Sequence, residues 1–374
     1  FSHPINVAGK VTSTGTSVFA SLDISGDIDV DGTTNLDVVD IDTSLTVDGT
    51  IKLNGNYPTA TNNVALGNAA LSSGSLSGGN NVAIGHLSGD ANTSGQQNTF
   101  VGSFSGSDNS TGSFNSFFGT VSGFSNTTGN NNVAVGDNAL YYNTTADNNT
   151  AVGKSALIKN TTGASNTSVG YLALTANTTG AYNTAVGNSA LTANTTSGYN
   201  TAVGNLALTS NTTATFNTAV GHGALTANTT GTINTAVGAS ALAANITGNS
   251  LSAFGHDALR FNTTGTYNAA FGNLSLFSNT TASNNTAVGY QALYANNTGT
   301  QNTALGAFAL DANSTASNNT AIGYASLTSN TTGASNVAVG SNSMTGSTTG
   351  QRNVAVGYLA FDGANTGSYS VAVG

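Results

Sequence analysis

Few side chains in this chain could do chemistry, and they do not converge. The histidines are His3, His86, His222 and His256. The last three stand in different stretches of a repeating sequence, so they lack the spacing of metal ligands. Serine is abundant, yet no Ser/His/Asp arrangement of the nucleophilic type stands out. Glycan hydrolysis needs two facing carboxylates, and no acid occurs between Asp147 and Asp257. Asp27, Asp29, Asp31 and Gly32 match the opening of a calcium loop, but Val38 stands where the closing glutamate belongs. Alternating Asp on the wet face of a strand explains them more simply. Asn-x-Thr triplets such as Asn177-Thr178-Thr179 are acceptors for N-linked sugars. The same asparagines also suit a turn with stacked amides, which accounts for their regularity without sugars. There is no cysteine, hence no disulfide and no thiolate ligand. These residues predict a protein that is not an enzyme and holds no cofactor and no metal.

The elements that carry these residues follow a strict repeat. From about Asn62 onward the motif Asn-Thr-Ala-Val-Gly recurs, its glycines running from Gly67 and Gly85 to Gly374. The first interval is 18 residues and the seventeen later ones are 17. A fixed period of this kind means one structural unit stacked many times.

One unit, Gly170 to Gly187, shows the expected coil. Asn183 to Val186 and a second stretch from Leu172 to about Ala176 look extended. Asn, Thr and Gly at this density disfavour helix. Asn177-Thr178-Thr179-Gly180 and Gly187-Asn188 are turn sequences. Leucine recurs four residues past the glycine (Leu174, Leu191, Leu208, Leu225). Valine recurs just before it (Val186, Val203, Val220, Val237). Both columns are expected in the solenoid interior. Strand neighbours alternate faces, so Ala185, Ala202, Ala219 and Ala236 are expected to point outward, as a candidate subunit interface. Asn177, Asn194, Asn211 and Asn228 are expected to form an amide ladder along the axis, as identical side chains do in cross-β stacks.

The expected fold is therefore all-β, a parallel β-solenoid of about eighteen 17-residue coils over residues 61–374. At about 4.8 Å per coil the rod is roughly 85 Å long. Each coil offers few large apolar groups, so association, most simply as a trimer, is expected to supply the missing burial. Residues 1–60 differ: Leu22, Ile24, Ile28 and Val30 alternate with polar or acidic residues, which predicts a small β-rich stalk or assembly module. The formal net charge is −9 with only 6 basic residues, too few for a phosphate-binding stripe, so nucleic acid is not a partner. No apolar run is long enough to span a membrane as a helix.

Asn80-Asn81-Val82-Ala83-Ile84-Gly85 and Asn132-Val133-Ala134-Val135-Gly136 resemble the head repeats of trimeric autotransporter adhesins. The stretch Leu22-Asp23-Ile24-Ser25-Gly26-Asp27-Ile28-Asp29-Val30-Asp31-Gly32 is similar to tail-fibre proteins of marine and cyanobacterial phages. The resemblance implies left-handed parallel β-rolls packed as trimers. It also implies a structural fibre on a virion or outside a cell, meeting host-surface glycans or a receptor. A second expectation comes from the final Gly374, which closes a coil: end-to-end stacking of solenoids into a filament.

Overall fold

A computed structural model describes residues 60–363 and 366–374. The module expected over 1–60 lies almost wholly outside the described residues, as does the Asp27–Gly32 segment. The described chain is a β-solenoid. Nineteen three-residue strands run from β1 (Val64–Leu66) to β19 (Val371–Val373), and each pairs in parallel with the next. In the middle of the rod lie β8 (Thr184–Val186), β9 (Thr201–Val203), β10 (Thr218–Val220) and β11 (Thr235–Val237). Their register is exact in sequence offset: Thr184 faces Thr201, Ala185 faces Ala202 and Val186 faces Val203.

Only one segment of each coil is a strand. The stretch Leu172–Ala176, expected to be extended, is instead a chain of turns. Leu172 and Leu174 sit at φ 56° and 51°, in the left-handed region. Neighbours Ala173 and Leu174 are both fully buried, which the alternating faces of a strand would not allow. The backbone is still paired along the axis: Leu174 N–H donates to Ala190 O at 2.9 Å and Ala176 N–H to Thr192 O at 3.1 Å.

The coil glycine has a positional reason. Gly187 lies at φ 138°, and a Cβ there would stand 2.4 Å from Gly204 O in the next coil. Stacked coils approach so closely at this corner that only hydrogen fits.

The core is narrow. Ala185, Ala190 and Leu191 are fully buried, and this Ala, Ala, Leu set recurs along the rod. The strand alanines Ala185, Ala202, Ala219 and Ala236 therefore point inward, not toward a partner. Val186, Val203, Val220 and Val237, expected inside, are half-buried on the outer face. Strand alternation was read correctly, but the face was inverted. The leucine reaching across from the turn side leaves room for only a methyl group on the strand. Valine there would overpack the coil.

Two coils show this trade of volume directly. Phe100 and Phe117 replace the strand alanine, are fully buried and stack with centroids 5.5 Å apart. Around them the leucine offset is occupied by Gly89, Gly106 and Gly123. A Cβ at Gly106 would come within 2.6 Å of the Phe100 ring, and one at Gly123 within 2.4 Å of the Phe117 ring. Phenylalanine from one side does what leucine does from the other.

Candidate binding faces of the rod

Two buried asparagine columns form the interior polar frame. The first runs unbroken from Asn92 to Asn330. Each Nδ2 donates to the Oδ1 of the preceding asparagine at 2.7–3.2 Å. Asn177, Asn194, Asn211 and Asn228 are rungs of it, all fully buried. The second hydrogen of Asn177 Nδ2 goes to Gly180 O at 2.9 Å, closing its own turn. The amide is thus spent on both hydrogens, and the folded Asn-x-Thr site presents nothing to a sugar-transferring enzyme. At Ser347 the column loses its amide, and Asn330 Oδ1 is left buried without a partner, as is Ser347 Oγ.

The second column binds backbone. Asn183 Oδ1 accepts the N–H of Asn200 at 3.1 Å, and its Nδ2 donates to Ser197 O at 2.9 Å. Leu251 interrupts this column. It still donates its N–H to Asn234 Oδ1 at 3.0 Å, but it has no side-chain oxygen to offer Asn268.

Three outward features could meet another molecule. The first is the sheet face, where the first and third residues of each strand, most often Thr and Val, point out. The valine offset is apolar in all nineteen strands, from Leu66 through Ile84, Phe118, Val186, Phe254 and Leu305 to Val373. Leu66 is 47% exposed, Phe118 41% and Leu305 46%. The second is a row of threonines, Thr179, Thr196, Thr213 and Thr230, whose exposed hydroxyls make no hydrogen bond within the described chain. By contrast, the hydroxyls one residue earlier, at Thr178 and Thr195, donate to carbonyls of the next coil. The third is a set of aromatic ladders, among them Phe254 over Phe271 at 4.9 Å and Phe277 over Tyr294 at 5.2 Å.

Ionisable groups among the described residues make only local contacts. His86, His222 and His256 share one offset, immediately after the coil glycine, but Ala239 separates the two nearest. His256 Nδ1 lies 3.2 Å from Asp257, which also accepts from Arg260 Nη1 at 3.1 Å. Asp108 has its pKa raised, first by desolvation and then by the charge of Asp90. Among the described residues no three His, Cys, Asp or Glu come together to hold a metal ion. A comparison with protein-family profiles and with curated proteins returns no match for this chain.

Sequence reasoning reached the leucine and asparagine columns but missed the outward character of the valines. The signal that could have found it was the Phe/Gly exchange at Phe117 and Gly123.

Proposed function

We propose that the chain is a structural rod, the shaft of an extracellular or virion fibre, and that it works as a homotrimer with the Thr/Val faces of its subunits turned toward one another. The observation that carries this reading is the unbroken apolar column from Leu66 to Val373. A contiguous apolar strip of this length is uncommon on the surface of a lone soluble chain and marks an interaction face. Its partner must repeat with the same rise over the same length, and a second copy of this chain does so by construction. No catalytic step is assigned. Contacts with host-surface glycans or a receptor belong to the same reading and rest on the resemblance to adhesins and tail fibres.

The test is a mass measurement in solution together with disulfide trapping. A Val203→Cys variant is expected to cross-link between subunits under mild oxidation, whereas Thr196→Cys, in the exposed threonine row, is not. A stable folded monomer would sink the trimer. Electron microscopy separates the two architectures: discrete rods favour the fibre, and long continuous threads favour end-to-end stacking.

A further inference from the structure

Five residues before the coil glycine, the outward side chain is polar in most coils: Asn131, Asn148 and Ser165 toward one end, Ser250, Asn284 and Gln301 toward the other. Four consecutive coils depart from this, carrying Tyr182, Tyr199, Phe216 and Ile233. The three rings stack at 5.1 and 5.2 Å with interplanar angles of 15° and 14°. They are 57%, 55% and 57% exposed, and Ile233 is 60% exposed. All four sit at φ of 60–62°, where the neighbouring coils use the Asn and Ser that such backbone accepts more readily. Neither core packing nor backbone geometry asks for bulky apolar groups here.

The stacking defines what could bind. Each interior ring face is covered by the next ring, so nothing can intercalate. What remains open is a strip of ring edges about 14 Å long, three coil rises, bordered along the chain by the free hydroxyls of Thr179, Thr196, Thr213 and Thr230. A ligand must lie along the strip and touch several rungs at once, which suits a flat, extended, apolar molecule. Charge narrows the class further. No Asp, Glu, Lys or Arg occurs between Lys159 and Asp257, and over residues 60–374 seven Asp stand against four Lys and Arg, a formal net charge of −3. An anion would find no counter-ion locally and meet repulsion overall.

We propose that Tyr182, Tyr199, Phe216 and Ile233 form a binding strip for an elongated, planar, conjugated ligand, neutral or cationic, lying parallel to the rod axis. Thioflavin T, a cation of this shape, is the probe, and Congo red, a dianion, the contrast. The full chain is expected to bind thioflavin T saturably, with the dye's long axis along flow-aligned rods in linear dichroism, and to bind Congo red more weakly. Tyr199→Asn combined with Phe216→Ser should weaken thioflavin T at least tenfold. Both replacements are residue types that stand at this offset in other coils, so the fold is retained. Tyr267→Ser, which removes an isolated ring at the same offset, should leave binding unchanged. Undiminished binding by the double variant, loss on Tyr267→Ser, or a dye axis across the rod would each overturn the proposal.

Discussion

If the strand alanine and the turn leucine face each other across a narrow coil, then Phe117 and Gly123 are one such pair with the volumes exchanged. Phe117→Ala should empty the space its ring now fills, at a cost of about 3–5 kcal/mol. Gly123→Leu alone should also destabilise, because its Cβ would start 2.4 Å from Phe117 Cε2; overpacking of this kind costs about 1–3 kcal/mol. The double variant recreates the arrangement of Ala151 with Leu157, both fully buried. Leucine would then sit at φ near 57°, close to the 52° that Leu157 adopts. Left-handed backbone costs a non-glycine residue about 1–2 kcal/mol, so the double variant should fall that far below the parent. It should nevertheless be more stable than Phe117→Ala. At mid-range (about 1.5 against about 4 plus about 2) the coupling would be about 4–5 kcal/mol in favour of the double variant, above the usual range for contacting residues. A single melting temperature is a poor readout for a stacked rod, whose stability is a sum over coils. Amide hydrogen exchange over Ser116–Phe118 and Val133–Val135 reads the affected coils directly. If the double variant exchanges as fast as Phe117→Ala, the facing of the two columns is wrong.

Other perturbations probe the frame and the surface. Ser347→Asn should extend the amide ladder, give Asn330 Oδ1 a donor and stabilise the last coils by about 1–2 kcal/mol, seen as slower exchange near residue 347. Leu225→Asn should cost about 2–4 kcal/mol by placing an amide in the apolar stack, with new protease cleavage nearby. Thr229→Ala removes only an exposed hydroxyl bond of 3.2 Å to Ile246 O and should resist cleavage as the parent does. Asp108 has its pKa raised in the fold; it favours the folded state below the unfolded carboxylate pKa and loses that contribution as pH rises through the raised value. Asp108→Asn should therefore stabilise slightly at pH 7 and not at pH 3, measured as protection of the neighbouring amides.

What the sequence disclosed and what it hid follow from one physical distinction. Period and column identity are one-dimensional facts, so the Gly, Leu and Asn offsets could be read directly, and Leu174 and Asn177 are where that reading placed them. The handedness of individual residues leaves no such trace: Leu172 and Leu174 look like strand neighbours, yet each takes a positive φ. The inside-or-outside decision at Ala185 and Val186 failed for a different reason. Apolar identity alone does not separate the core of the single chain from an apolar outer face; size does. At Phe100 and Phe117 the strand offset gains a ring where the turn offset, at Gly106 and Gly123, loses its leucine. Only positions that share one cavity need trade volume in this way. The valine offset shows no such trade: Val135, Phe254 and Leu305 vary in size above coils whose buried residues, Leu140, Leu259 and Leu310, stay the same. A column that stays apolar while changing size freely is not confined by its own coil. Any burial of that column has to come from outside the coil, and this is the physical content of the proposed association between rods.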